Sequence, residues 1–82
     1  YLSALRIALD HIRSFGADII VVALGLDAAL SDPFEGLAIT NEGFGKIATN
    51  IAKLGKPCAI IQEGGYLGPE LGMNLTSFLK AI

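Results

Sequence analysis

A carboxylate and a phenol each stand where an apolar run of the sequence ends. Asp27 closely follows the run "DIIVVALG" (18–25), and Tyr66 closely follows "CAIIQEGG" (58–65). In open parallel sheets, ligands bind beyond the carboxyl ends of the strands, where loops and helix N-termini converge. A carboxylate there needs backbone donors, a cation or a metal, and a phenol there can donate a hydrogen bond to a developing oxyanion. If the two runs form neighbouring strands, Asp27 and Tyr66 emerge side by side.

The same residues also have purely structural interpretations, which their types and spacing leave open. Asp27 could form a turn by bonding its own backbone, and Asp32 before a proline is typical of a turn opener. Tyr66 could be a core aromatic. Gly64 and Gly65 could hold a phosphate before the next helix, although the stretch lacks G-x-G-x-x-G spacing and a P-loop lysine.

The single histidine and the single cysteine offer less chemistry. We expect His11 on the polar face of the first helix, in solvent, and Cys58 as an inert buried thiol at the start of a strand. One cysteine allows no internal disulfide, which fits a reducing compartment. We therefore expect a cytoplasmic protein.

Hydrophobic spacing predicts the elements that position these residues. Apolar residues three and four apart indicate a first helix that ends at Gly16, and a second helix capped by Thr40 and ending at Gly55. A third helix is predicted over 71–82, with Asn74 within its apolar stripe. The predicted apolar face of the first helix comprises Leu5, Ala8, Leu9, Ile12 and Phe15.

The two β-branched runs lack alternation, which is typical of strands that are covered on both faces of a parallel sheet. The order helix, strand, helix, strand, helix predicts one right-handed βαβ crossover with flanking helices. The fold class is therefore α/β, as part of a three-layer parallel sheet without internal repeats or linkers.

Composition places limits on the size and partners of the protein. An 82-residue domain buries only about 60% of the surface of its unfolded chain. The chain is 52% apolar, has 17% charged residues and begins with Tyr1, so we interpret it as a piece of a longer protein that is complete at Ile82. A net charge of −2 without a basic run argues against nucleic acid. The apolar run 19–24 is far shorter than the roughly 20 residues that span a bilayer, which argues against a membrane.

Two motifs together resemble the histone deacetylase family, most closely its class II and acetylpolyamine amidohydrolase branches. They are "GLDAALSDPFEGLAIT" (25–40) and, about a helix and a strand later, "EGGYLGPELGMNL" (63–75). The resemblance runs from about Ala17 to Ile82. It implies that residues 1–82 form one C-terminal segment of a catalytic domain with the arginase-deacetylase fold.

The resemblance also implies an active site with zinc at the carboxyl edge of the sheet. Asp27 would be a metal ligand, and Tyr66 would polarise the scissile carbonyl and stabilise the oxyanion. Phe34 would line the rim of the substrate tunnel, while Gly64 and Gly65 would bring the backbone close to the substrate. The implied reaction removes acetyl groups from acetyl-lysine or from acetylated amines.

The other ligands of such a site, in an Asp-x-His motif, and the paired catalytic histidines of the family have no match in this chain. Catalytic zinc normally takes three protein ligands, so Asp27 alone cannot hold the metal. We therefore expect the segment to be inactive alone and to associate with copies of itself. Two other functions remain open: a small α/β module that binds an anionic or nucleotide ligand, and a non-catalytic, self-associating structural remnant.

Overall fold

A computed structural model describes residues 2–26, 39–65 and 68–82 of the chain. The predicted order of helices and strands is confirmed. The elements are α1 (Leu2–Phe15), β1 (Ile20–Gly25), α2 (Asn41–Ala52), β2 (Cys58–Glu63) and α3 (Pro69–Ala81). Among these helices, none has the length and apolar character needed to cross a bilayer.

The element boundaries follow from local residue chemistry. Thr40 caps α2 as predicted, because its Oγ1 accepts a hydrogen bond from the backbone N–H of Gly43 at 3.0 Å. Helix α1 is followed by Gly16 at φ 79°, a left-handed conformation that glycine adopts without strain. Helix α3 begins earlier than predicted, at Pro69, since proline is well suited to the first helical turn. Helix α2 ends at Ala52, and Gly55 lies in the turn that follows it.

The two strands pair in parallel as neighbours, with Ile20 opposite Cys58 and Gly25 opposite Glu63. Helix α2 lies between them in the sequence, so β1, α2 and β2 form the predicted βαβ unit. Because the strands are parallel and in this register, their carboxyl ends lie at the same edge of the sheet. That edge is where the sequence predicted the functional site.

The core lies on one face of the sheet and receives side chains from all three helices. Phe44 of α2 and Phe78 of α3 are fully buried, and each contributes about 1.5–3 kcal/mol through removal of apolar surface from water. Phe44, Ile47 and Ile51 form the buried stripe of α2, and they repeat at the three- and four-residue spacing that predicted this helix. The complete buried cluster comprises Leu9, Leu24, Leu26, Ile39, Phe44, Ile47, Ala48, Ile51 and Phe78.

The opposite face of the sheet is uncovered by the described residues. Val21 of β1 is 68% exposed and Ile61 of β2 is 57% exposed, whereas Ile20 and Leu24 of β1 are buried. Helices α1, α2 and α3 all pack into the same core, on one side of the sheet. Cover of the second face stays a prediction for the longer protein, and the described residues leave that face bare, as expected of a segment with only three helices.

The sequence predicted Phe15 on the apolar face of α1, but its side chain is 86% exposed, so this prediction is wrong. Leu2, Leu5, Leu9 and Ile12 of α1 contact or enter the core, as a helical stripe should. Each residue advances about 100° around a helix of 3.6 residues per turn, so Phe15 has rotated beyond the edge of that stripe. Ala8 has rotated beyond it as well, and is exposed.

The uncovered apolar face predicts that the chain by itself associates with further copies. Parallel sheets are found almost only with both faces buried, so exposed Val21 and Ile61 favour any contact that covers them. We expect the 82-residue chain to sediment as oligomers or to precipitate. The double substitution Val21→Lys and Ile61→Lys should shift it towards the monomer.

Ile7→Lys provides the matched control, because Ile7 is comparably exposed but lies on α1. It should leave the sedimentation profile unchanged. A compact, soluble monomer formed by the unsubstituted chain would contradict the prediction.

Candidate functional site

The carboxyl edge of the sheet brings together the two stretches that the sequence singled out. Gly25 and Glu63 are register partners at the ends of their strands. Leu26 follows β1, and Gly64 and Gly65 follow β2. The requirement that the two strands be neighbours is thus confirmed.

The segment that follows β1 and the segment that follows β2 pack directly against each other. Leu26 is only 2% exposed. A Cβ atom added to Gly65 would lie 2.9 Å from Cβ of Leu26 and 2.8 Å from Cδ1 of Leu71, closer than carbon atoms approach without displacement. Only glycine fits at position 65, because the backbone there packs against Leu26.

Backbone conformation gives an independent reason for this pair of glycines. Gly64 has φ 69° and Gly65 has φ 96°, both in the region that L-residues with side chains avoid. Two such residues in succession redirect the chain sharply at the end of β2. The sequence predicted a sharp turn at this point, and the structure confirms it.

The predicted site residues fall into two groups. Gly64 and Gly65 lie at the carboxyl edge, as the sequence indicated. Asp27, Phe34 and Tyr66 lie outside the described residues, and their roles stay predictions. Leu26 and Gly65 are the residues that immediately precede Asp27 and Tyr66 in the sequence.

The described residues do not form a metal site on their own. Within 2–26, 39–65 and 68–82, no three His, Cys, Asp or Glu side chains come together in a group that could hold an ion. Glu63 ends β2 at the carboxyl edge and is exposed. Since catalytic zinc normally needs three protein ligands, the described residues by themselves do not provide such a site.

His11 and Cys58 are placed away from this chemistry. His11 is exposed on α1, as predicted. Cys58 begins β2, at the opposite end of the strand from the glycine turn, and is half-buried with its Sγ 3.5 Å from the carbonyl oxygen of Lys56. The expectation of a fully buried thiol is therefore wrong, because Cys58 lies at the margin of the core.

The sequence did not predict a polar tie between α2 and α3, which is a set of hydrogen bonds among Asn41, Asn74 and Ser77. Asn74 is 4% exposed, and its Oδ1 accepts a hydrogen bond from Nδ2 of Asn41 at 3.2 Å. The hydroxyl of Ser77 donates to the carbonyl oxygen of Asn41 at 2.7 Å. The tie joins the helix that follows segment 27–38 to the helix that follows the glycine turn. An asparagine within an apolar stripe signals it, since buried polar groups are almost always hydrogen-bonded.

Comparison with known proteins identifies the family. The model of the histone deacetylase domain matches residues 1–82. The chain belongs to the histone deacetylase family. Its α/β architecture is that of the arginase-deacetylase fold, since it superposes with TM-score 0.91 on a crystal structure of acetylpolyamine aminohydrolase from Burkholderia pseudomallei. That alignment has 36% sequence identity and covers 98% of this chain and 23% of the other.

Curated relatives agree with the structural comparison. Acetylpolyamine amidohydrolase from Mycoplana ramosa is 38% identical over 79 residues, which cover 96% of this chain and 23% of the relative. The acetylpolyamine amidohydrolase from Burkholderia pseudomallei is 41% identical over 71 residues, which cover 87% of this chain and 21% of the relative. The chain thus spans between a fifth and a quarter of the length of these relatives.

The close contact at Gly65 predicts a large loss of stability in Gly65→Ala. The substitution forces a Cβ against Leu26 and also places alanine at φ 96°, so the free energy of unfolding should fall by about 2–4 kcal/mol. Urea unfolding of the complete protein, followed by circular dichroism, measures the change.

Substitutions at two other glycines separate the effect of the close contact with Leu26 from the effect of the positive φ angle. Gly55→Ala has φ 67° but open space around the new Cβ, so it should cost only about 1–2 kcal/mol. Gly72→Ala lies in α3 with open space and should stabilise the protein by about 0.5–1 kcal/mol. If Gly65→Ala proves no more harmful than Gly55→Ala, the close approach to Leu26 is not a constraint on the fold.

Proposed function

We propose that this chain is the C-terminal segment, 1–82, of the catalytic domain of a zinc-dependent amide hydrolase. The enzyme removes acetyl groups from acetyl-lysine or from acetylated amines. Membership of the histone deacetylase family over the whole chain supports this proposal. It also favours this function over a module that binds an anionic ligand.

The single observation that carries the proposal is the packing of Leu26 against Gly65 at the carboxyl edge. Asp27 and Tyr66 are the next residues along the chain from this contact point. A carboxylate and a phenol that start from adjacent backbone positions can act on one substrate group. Asp27 and Tyr66 are far apart in the sequence, and the contact between Leu26 and Gly65 is what brings their backbone positions near each other.

Asp27 provides one carboxylate ligand for the metal, and the remaining ligands come from outside this chain. Zinc bound in such a site polarises a carbonyl group and lowers the pKa of water. The negative charge of Asp27 would offset part of the charge of the ion. With one ligand only, the chain alone is inactive.

Tyr66 acts on the substrate through its hydroxyl. The phenol O–H donates a hydrogen bond to the carbonyl oxygen, and that bond strengthens as negative charge develops on the oxygen in the tetrahedral transition state. The turn at Gly64 and Gly65 fixes the backbone from which Tyr66 starts, so little reorganisation is needed during the reaction. Phe34 lines the rim of the substrate tunnel, and the glycines let the backbone approach the acyl group.

Of the two substrate classes, acetyl-lysine and acetylated amines, the names of the relatives favour acetylated amines. The relatives from Mycoplana ramosa and Burkholderia pseudomallei are named acetylpolyamine amidohydrolases. A rice relative, 32% identical over 88 residues, is named histone deacetylase 10. Assays of the complete protein with a monoacetylated diamine and with an acetyl-lysine peptide distinguish the two classes by their kcat/KM.

Asp27→Ala in the complete protein should abolish retention of zinc and, with it, amide hydrolysis. Loss of one of three ligands opens the site and removes the charge that offsets the metal. Metal content after gel filtration measures the effect. Asp32→Ala is the matched control, since Asp32 is predicted only to shape the loop, and it should keep its zinc. Full zinc and full turnover in Asp27→Ala would contradict the assignment.

Tyr66→Phe should lower kcat by about 10²- to 10³-fold, the usual effect of removing one oxyanion donor. Zinc content and the circular dichroism spectrum should stay the same, because the ring remains and only the hydroxyl is lost. Tyr1→Phe removes a hydroxyl elsewhere and should leave kcat unchanged. An unaltered kcat in Tyr66→Phe would instead return Tyr66 to the role of a core aromatic.

A further inference from the structure

A broad, open groove runs between α2 and α3, and Leu2 and Arg6 of α1 also line it. Its volume is about 1140 Å³. Helix α2 contributes Lys46 and Thr49 to the groove, its C-cap contributes Lys53, and α3 contributes Thr76 and Lys80. The groove is built from helix side chains, and neither Gly64 nor Gly65 lines it.

The groove concentrates the positive charge of an acidic chain. Arg6, Lys46, Lys53 and Lys80 line it, which are four of the six Lys and Arg residues, although the net charge is −2. Glu42 is the only acidic side chain among the described residues of the lining. Like charges that are gathered in a concave surface repel one another and raise the local concentration of anions. An anionic partner would relieve that repulsion.

The spacing of the lysines indicates the shape of the partner. Lys46 lies on α2, and Lys53 is the C-cap of that helix with right-handed helical backbone angles. The two lysines are seven residues apart and therefore lie on one face, about 10 Å apart along the helix axis. An extended polypeptide in the polyproline II conformation rises about 3.1 Å per residue with three residues per turn, so carboxylates three residues apart lie on one face, about 9 Å apart, and match these lysines. Thr49 and Asn50 lie between the lysines; the Thr49 hydroxyl donates to the carbonyl oxygen of Gly45 and Asn50 Nδ2 donates to that of Lys46. Thr49 Oγ1 can still accept a hydrogen bond from a peptide N–H, and the Asn50 amide keeps an acceptor oxygen and a second N–H.

The same lining argues against other anions and against the proposed substrate. The described lining contains no aromatic side chain, whereas proteins that bind single-stranded nucleic acid stack bases on aromatic rings. The volume slightly exceeds the roughly 300–1,000 Å³ of typical small-molecule pockets. A polyamine is itself cationic, so a groove lined by lysines would repel it.

We propose that the groove between α2 and α3 binds an extended acidic polypeptide segment through Lys46, Lys53, Lys80 and Arg6. This interaction surface is additional to the proposed deacetylase site. Charge complementarity selects the partner, and the hydroxyl and amide groups of the groove position its backbone.

Fluorescence anisotropy of the complete protein with a labelled peptide tests the proposal. The peptide carries Glu at every third position, and its control carries Gln at those positions. We expect the Glu peptide to bind, with affinity that falls as salt rises, and the Gln peptide to bind at least tenfold more weakly. The double substitution Lys46→Gln and Lys53→Gln should weaken binding of the Glu peptide about tenfold.

The double substitution Arg13→Gln and Lys56→Gln is the control, since it removes the same charge from residues outside the groove. It should leave the affinity within about twofold of the original, while both double variants keep their helical spectrum and amide hydrolase activity. Equal binding of the Gln peptide, or equal weakening by the control pair, would overturn the proposal. Tighter binding of a single-stranded oligonucleotide or inorganic phosphate would overturn it in favour of that ligand. If the complete protein proved to lack amide hydrolase activity, the proposed function would fail, but the peptide-binding measurements would still decide the proposal for the groove.

Discussion

The packing of Gly65 against Leu26 is the constraint on which the carboxyl edge depends. Parallel pairing brings Gly25 and Glu63 level, but pairing alone does not determine where the chain goes after each strand ends. Because glycine has no side chain, the segment after β2 can pack at position 65 directly against Leu26, which follows β1. The positive φ angles of Gly64 and Gly65 turn the chain at this point. Both requirements select glycine, so packing and backbone conformation favour the same residue at the same place.

The polar tie among Asn41, Asn74 and Ser77 extends this constraint from the strands to the helices. A buried amide that lacks a partner destabilises a protein by about 1–3 kcal/mol, whereas a satisfied network favours one arrangement over others. Asn41 begins the helix that follows β1, and Asn74 belongs to the helix that follows β2. The strand ends and the helices that follow them are therefore held by two separate contacts, one apolar and one polar. The remaining face of the sheet has no such contact within the described residues.

Local features of the fold were predictable from the sequence, and long-range features were not. The cap at Thr40 and the glycine at position 16 depend on neighbouring residues only, so residue types suffice to predict them. Phe15 was mispredicted because apolar periodicity identifies residues that need cover without showing whether cover exists. The contact of Leu26 with Gly65 joins residues far apart in the chain, and no spacing rule reveals it. The roles of Asp27 and Tyr66 came from family resemblance, since their types and spacing alone left structural alternatives open.

Charge shows the same difference between order along the chain and arrangement in space. No basic run occurs in the sequence, and on that ground the sequence argues against nucleic acid. Yet Arg6, Lys46 and Lys80 come from three different helices and line one groove, because helix packing gathers residues that the sequence separates. The proposed role of Asp27 is to bind a metal cation, whereas the lysines of the groove suit an anion. Because neither Gly64 nor Gly65 lines the groove, an acidic polypeptide bound there would not compete with the substrate for the same surface.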